Sequence, residues 1–158
     1  MSAASEKAFQ RFTEAIGANE GTGDWFEVTQ EDINTFADVT HDHQFIHVDP
    51  EACATMSPWG VPIAHGFLTL SMLTHLTSSI AVNPEFLEGI VMGVNYGFDK
   101  VRFVTPVKVG SRINVTSAIS GAELKGDAVQ ITRSMTVNIE GEEKPALVAE
   151  WITRLVYG

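Results

Sequence analysis

An alternation of apolar and polar residues in the C-terminal part of the chain most constrains its fold. Between positions 129 and 139, apolar side chains recur at every second position, and Gln130, Thr132, Ser134, Thr136 and Asn138 stand between them. The apolar set is Val129, Ile131, Met135, Val137 and Ile139. Successive side chains of a strand point to opposite faces, so this period of two predicts a strand with one face in a core.

Three further strands are predicted in the same half. Residues 100–103 alternate, with Val101 and Phe103 pointing opposite to Lys100 and Arg102. Ile113, Val115 and Ile119 share one face of another strand, and a last strand carries Leu147, Ala149, Trp151, Leu155 and Tyr157 on one face. The linking segments SGAELKGD and EGEEKP suit antiparallel connections. The second half therefore predicts an antiparallel sheet.

The first half is predicted to be mainly helical. Residues 4–17 have helical apolar spacing that ends at Gly17, and residues 25–28 suggest a short strand. Thr29 with Asp32 three residues later indicates the start of a second helix. Asp49 followed by Pro50 indicates a short third helix that runs to about Met56.

The stretch from Gly66 to Asn83 contains no charged residue. Apolar residues lie at helical spacing and also on other faces, which is typical of a central, buried helix. The stretch is slightly short, and too rich in Ser, Thr and His, for a membrane span of roughly 20 apolar residues. A helical half followed by a strand-rich half predicts an α+β fold, in which an antiparallel sheet wraps around one long central helix within a single domain, residues 1–158.

The net charge and the number of cysteines limit the functions expected of this chain. The formal net charge of −10 argues against nonspecific binding to nucleic acid or to an anionic membrane surface. The N-terminal residues lack the continuous apolar core of a signal peptide, so a cytoplasmic location is expected. The single cysteine, Cys53, excludes an internal disulfide. It could be a nucleophile, but a small buried hydrophobe is the favoured interpretation.

The candidate chemistry lies between Asp42 and Gly66. Asp42 and His47 flank a connection between predicted helices, where a carboxylate and an imidazole could hold one water, one as general base and the other as proton donor. In the alternative interpretation, Asp42 caps the loop and His47 is a structural histidine. The backbone N–H of Gly66 at a helix start could hold an oxygen that gains negative charge, or Gly66 could simply mark the boundary. His65 is interpreted as a capping or packing residue.

Two further clusters have competing interpretations. His41, Asp42, His43, His47 and Asp49 are all metal-ligand types, but their spacing matches no zinc motif, so no metal is predicted. Four basic residues fall in one short segment of this acidic chain. They are Lys100, Arg102, Lys108 and Arg112. They form either a solvated strand face or a positive patch for ligand phosphates such as those of coenzyme A.

Two separated motifs resemble the MaoC-like family of R-specific enoyl-CoA hydratases. The family signature TGDxNPxH, followed by Pro-Ile-x-His-Gly, corresponds here to THDHQFIH at 40–47 and PIAHG at 62–66. The nodulation-protein-N-like branch has DHQWIHVDP and INYGxNKVRFPAPVPVGS, and this chain has DHQFIHVDP and VNYGFDKVRFVTPVKVGS. The resemblance covers nearly the whole chain.

The resemblance implies a hotdog fold, a homodimer with active sites near the subunit interface, and no metal or redox cofactor. It implies reversible hydration of trans-2-enoyl-CoA, with Asp42 and His47 as the catalytic pair and Gly66 N–H in the oxyanion hole. Gln44, at the family's Asn position, is expected to orient the pair or its water, and Lys100 and Arg102 are expected to bind the acyl-CoA substrate. His41 departs from the family by replacing the usual Gly.

Two other functions remain open at the level of sequence. A hotdog acyl-CoA thioesterase would also use an acid and a water, but would release free coenzyme A. A non-catalytic acyl-CoA-binding module would bind without turnover. Trp59, Phe67 and Met72 are candidates to line the acyl tunnel.

Overall fold

The computed structural model describes residues 2–158 as one six-stranded antiparallel sheet with helices packed against it. The helices are α1 (Ala3–Glu14), α2 (Gln30–Thr40), α3 (Phe45–Val48), α4 (Pro50–Met56), α5 (Gly66–Ser71), α6 (Leu73–Leu76) and α7 (Pro84–Leu87). The strands are β1 (Asn19–Thr22), β2 (Phe26–Glu27), β3 (Ile90–Phe103), β4 (Arg112–Lys125), β5 (Ala128–Ile139) and β6 (Leu147–Tyr157). The mixture of helix and sheet confirms the predicted α+β class.

The sheet follows the order β1-β4-β5-β6-β3, and β2 also pairs with β4. The alternation that predicted β5 is confirmed, because its apolar set is buried throughout. Arg133 is the exception on this inner face. Its Nε donates to the carboxylate of Glu20 at 2.9 Å, and its Nη1 donates to the hydroxyl of Thr153 at 3.1 Å, so the half-buried guanidinium is partnered.

Two apolar clusters cover the inner face of the sheet. The larger one packs α5 and α6 against β4, β5 and β6 through buried residues such as Leu73, Leu76, Val115, Val137 and Leu147. The smaller one packs α1 through Ala8 and Phe12 against residues such as Ile119, Ile131 and Tyr157. The sheet therefore wraps around the central helical segment, as the sequence predicts.

The central helix is shorter than predicted and is interrupted. Instead of one helix over 66–83, α5 and α6 are separated at Met72, and turns follow Leu76. Serine and threonine hydroxyls explain the difference. Ser71 Oγ donates to Phe67 O at 2.7 Å and Thr77 Oγ1 donates to Leu73 O at 2.8 Å. Such bonds compete for the carbonyls of the helix and bend it.

The predicted helix starts are confirmed by their caps. The Thr29 side chain accepts the Asp32 N–H, while the Asp32 carboxylate accepts the Thr29 N–H at 2.9 Å. Asp49 Oδ1 accepts the Ala52 N–H at 2.9 Å at the start of α4. Strand β1 and the single-turn α3 were not predicted. No helix within residues 2–158 combines the length and apolar character needed to cross a membrane.

Candidate active site

The loops around α3 and before α5 bring three polar side chains together. One carboxylate oxygen of Asp42, one ring nitrogen of His47 and one of His65 lie within 4.8 Å of one another. Asp42 is exposed, whereas His47 and His65 are 7% and 3% exposed. The structure therefore brings the predicted acid and imidazole together, and it adds a histidine that was not predicted to belong to the site.

The tautomer of His47 follows from its hydrogen bond. Its Nδ1 lies 2.7 Å from the carbonyl oxygen of Ile63, and a carbonyl can only accept, so Nδ1 carries the proton. In the neutral ring, Nε2 then has a free lone pair. Burial lowers the pKa of His47 from its ordinary value of 6.5 and His65 lowers it further, whereas the bond to Ile63 and the charge of Asp42 oppose the change. A neutral imidazole with a free Nε2 lone pair is able to accept a proton.

A cavity of about 240 Å³ adjoins His47. Its wall contains both His47 and Gly66. The other residues that line it are Ile63, Ala64, Thr69, Phe103, Thr105, Pro106, Val107 and Ala146. Apart from His47, the wall is free of ionisable side chains. Such a largely apolar site strengthens electrostatic interactions within it, because little water is present to screen them.

Gly66 begins α5 and closes one side of this cavity. A Cβ atom at this position would lie 3.0 Å from two ring carbons of Phe103, so the absence of a side chain allows the ring to pack against the helix start. The first N–H groups of a helix have no acceptor within the helix, which leaves the Gly66 N–H available to an oxygen in the cavity.

Gln44 supports the site through its backbone. Its N–H donates to Asp42 Oδ1 at 3.4 Å, and its carbonyl accepts the His47 N–H at 2.9 Å. The side chain of Gln44 is exposed. The backbone of Gln44 thus connects the Asp42 carboxylate to the backbone of His47.

His41, which departs from the family pattern, adopts a left-handed conformation with φ 60° and ψ 23° at the end of α2. Glycine adopts this conformation without the steric cost imposed by a Cβ, whereas most other residues do not. This explains why a glycine is the usual residue before the acid.

We expect His41→Gly to stabilise the protein. Removing the Cβ relieves about 1–2 kcal/mol of left-handed strain in the folded protein. Glycine also gives the unfolded chain more conformational freedom, which lowers the gain in stability by about 0.4–1 kcal/mol. The unfolding midpoint should rise by about 2 °C in a thermal melt. His43→Gly serves as the control, because His43 has no positive φ, and it should lower the midpoint. A lower midpoint for His41→Gly would contradict the strain argument.

Of the five possible metal ligands considered from sequence, the structure brings Asp42 and His47 together, beside His65. His43 pairs with Asp38 at 2.8 Å, and Asp49 caps α4. The rings of His47 and His65 stack at 3.7 Å with 24° between their planes. Because imidazole lone pairs lie in the ring plane, two such planes do not meet at one ion at the roughly 2.1 Å of a zinc–nitrogen bond. The cluster suits acid–base chemistry better than metal coordination.

The basic cluster is partly neutralised. Lys100 forms an ion pair with Glu150 at 2.7 Å, and this bond raises the pKa of Lys100. Arg112 pairs with Glu140 at 3.0 Å. Arg102 is exposed, donates to the adjacent backbone carbonyl of Val101, and immediately precedes Phe103 of the cavity wall. Of the two predicted substrate-binding cations, Arg102 is thus the one without an acidic partner among the ion pairs formed within residues 2–158.

A larger cavity, of about 490 Å³, lies at the other end of the central helical segment. Its walls include Thr77, Ile80, Trp151 and the Glu20–Arg133 pair. It contains none of Asp42, His47 and Gly66, so chemistry rather than volume identifies the smaller cavity as the candidate active site. Neither cavity is lined by Trp59, Phe67 or Met72, which the sequence suggested for an acyl tunnel.

Known proteins share both the sequence and the fold. Residues 11–140 match the family model described as the MaoC like domain. The chain is 49% identical over 143 residues to 3-hydroxyacyl-thioester dehydratase Z of Mycobacterium tuberculosis, covering 90% of this chain and 91% of the relative. It is also 49% identical over 138 residues to Nodulation protein N of Rhizobium meliloti, covering 87% of this chain and 84% of the relative.

Among solved structures, R-hydratase PhaJ1 from Pseudomonas aeruginosa superposes with a TM-score of 0.69 at 21% identity. The match covers 93% of this chain and 86% of the hydratase. A regulatory protein of monoamine oxidase from Archaeoglobus matches with a TM-score of 0.70 at 24% identity, covering 87% and 88% of the two chains. These likenesses confirm the hotdog fold that the sequence resemblance implied.

Proposed function

Because the chain belongs to the MaoC-like dehydratase family, we propose that it catalyses reversible addition of water to a trans-2-enoyl-CoA, giving an R-3-hydroxyacyl-CoA. One observation carries the proposal: His47, whose Nδ1 is bonded to Ile63 O and whose Nε2 lone pair is therefore free, lines a cavity that Gly66 also lines. The name of the mycobacterial relative, a 3-hydroxyacyl-thioester dehydratase, supports this class of substrate.

In the proposed reaction, Asp42 and His47 hold one water. His47 Nε2 takes a proton from the water as the C3–O bond forms, and the π electrons of the C2–C3 double bond move toward the thioester carbonyl. The carbonyl oxygen gains negative charge and accepts a hydrogen bond from Gly66 N–H. Protonated His47 then gives its proton to C2 on the same face, which restores both the thioester and the neutral base.

We further propose that the substrate's phosphates contact Arg102. A guanidinium binds phosphate through two parallel hydrogen bonds, and Arg102 is exposed and one position in the chain from Phe103 of the cavity wall. Lys100 would bind a phosphate only after its ion pair with Glu150 is broken. Gln44 is proposed to hold the Asp42 carboxylate in place through its backbone N–H.

We also propose that the chain is a single-domain homodimer, assembled along β3. This strand pairs only with β6 in the described sheet, so its other edge is open. Exposed apolar side chains on or beside it include Val91, Met92, Val94, Tyr96 and Phe103. A long apolar edge strand is a surface for pairing with another chain. Phe103 also lines the cavity, so the active site would lie near the interface.

Light scattering tests the proposed dimer. A monomer mass at micromolar concentration would contradict this assembly.

The reaction is tested by following the loss of enoyl-thioester absorbance with crotonyl-CoA and longer homologues, together with a thiol-trapping reagent. The proposal expects hydration without release of free thiol. Thiol release would identify a thioesterase instead. Binding of crotonyl-CoA by calorimetry without turnover of any chain length would identify a non-catalytic acyl-CoA-binding module.

We expect Gly66→Ala to lower kcat/KM about 10- to 100-fold. The added Cβ would displace the Phe103 ring, and shifts of about 1 Å at a reacting centre can cost about 100-fold in rate. Steady-state kinetics with crotonyl-CoA measure the loss. In a protein that already carries Phe103→Ala, the added Gly66→Ala should cost less activity than it costs in wild type, because the ring that the Cβ would displace is gone. Full activity of Gly66→Ala would contradict the proposed role of this helix start.

A further inference from the structure

His65 contacts both members of the proposed catalytic pair. Its Nε2 lies 2.9 Å from the backbone carbonyl oxygen of Asp42, so Nε2 carries the proton and donates it. The same ring stacks on His47 with 3.7 Å between centroids and 24° between planes. His65 is 3% exposed, and it contacts both residues through its side chain, whereas Gln44 contacts both through its backbone.

The other nitrogen of His65 has no partner. Nδ1 is buried and forms no hydrogen bond within the described chain. A buried polar atom without a partner destabilises the folded protein. His65 is also the residue before α5, yet its side chain makes no capping bond, so helix capping is not its role. Packing alone would be served by an apolar ring of similar size, such as Phe.

We propose that His65 is a positioning residue that fixes the Asp42 loop against the face of the His47 ring and keeps that ring in its neutral, base-competent form. This inference rests on the proposed hydration for its kinetic consequences. The structural consequence, an altered environment of His47, is independent of the reaction.

The stack acts on His47 in two ways. The His65 ring packed on the face of His47 excludes water, and water would otherwise stabilise the imidazolium. Protonating both stacked rings would also place two positive charges about 4 Å apart, which is unfavourable. The ionisable side chains that act on His47 are His65 and Asp42, and they oppose each other. The remaining walls around His47, formed by Ile63, Thr69 and Phe103 among others, carry no charge.

Two substitutions separate the two contacts. His65→Phe keeps an aromatic ring on His47 but removes the bond to Asp42. His65→Gln keeps an amide donor for the Asp42 carbonyl but removes the stacked ring. His75→Phe and His75→Gln are matched controls, because His75 is exposed on α6, near the opposite end of the central segment.

We expect His65→Phe to lower kcat for crotonyl-CoA about tenfold or more with little change in KM, because the acid is displaced while the binding surface is retained. His65→Gln should move the acid limb of the pH–rate profile toward higher pH, so that the rate at pH 5.5 relative to pH 8 falls about threefold. The His75 variants should change neither quantity.

NMR titration of the His47 ring nitrogens and of the Asp42 amide tests the inference without turnover. His65→Gln should raise the pKa of His47, and His65→Phe should shift the Asp42 amide resonance. If both His65 variants match wild type in these signals and in their kinetics, the positioning role is overturned. If wild type turns over no enoyl thioester but the NMR changes appear, the hydratase proposal fails and the positioning of His47 stands.

Discussion

His47→Gln is expected to lower kcat for crotonyl-CoA hydration by about three orders of magnitude, within the 10²–10⁴-fold range of general acid–base catalysis. Glutamine cannot take a proton from water at the point where His47 Nε2 does. Its amide can still donate a hydrogen bond toward Ile63 O, so the buried carbonyl need not lose its partner. The effect should therefore fall on turnover rather than on folding.

The pH dependence of wild type gives a second check on the same residue. A base must be unprotonated to act, so activity is lost as the pH falls through the pKa of His47. Burial lowers that pKa from 6.5, so more than half of the maximal rate should remain at pH 6.5, and the midpoint of the acid limb should lie below that pH. In His47→Gln this acid limb should disappear from the profile of the residual rate.

Thermal melts and calorimetric binding of crotonyl-CoA are the controls for His47→Gln. Both should remain close to wild type, because the substitution retains side-chain volume and the hydrogen-bond donor. A variant that remains folded, binds the thioester and retains more than a tenth of the wild-type kcat would remove His47 from the proposed mechanism.

The sequence predicted best what depends on neighbours in the chain. The Thr29–Asp32 cap and the buried alternation of β5 follow from local chemistry and period, and the structure confirms both. The sequence also suggested that Asp42 and His47 act together, because only four residues separate them on one connection between helices. In the structure, the Gln44 backbone bonds to both.

Features that depend on distant partners were not predicted. His65 lies 18 positions beyond His47, and only the packing of its loop brings the two rings into a stack. Strand β1 forms in a Gly-rich run because the neighbouring β4 supplies hydrogen bonds, which outweigh the weak strand propensity of Asn19 and Gly21. The spacing of apolar residues predicted one continuous central helix, because it contains no information on the serine and threonine hydroxyl bonds that interrupt the helix at Met72.

The second large effect is expected for Asp42→Asn, which should lower kcat about 10²- to 10³-fold. Asparagine is nearly isosteric, and its amide oxygen can still accept the Gln44 N–H, so the loop should keep its path. The amide lacks the carboxylate's charge and presents an NH₂ group on one side. It therefore holds the attacking water less well and stabilises the imidazolium of His47 less. Asp38→Asn, on exposed α2, is the matched control and should retain wild-type turnover.

The combination of Asp42→Asn with His47→Gln tests whether the two residues act on one water. If they do, the first substitution already disrupts the placement of that water, so the second substitution adds little. The double variant should then be at most about tenfold slower than the slower single variant. Rate losses that multiply across the two substitutions would mean that Asp42 and His47 serve separate steps. That result would contradict the shared-water mechanism, because the cluster places both side chains within 4.8 Å of each other for a single task.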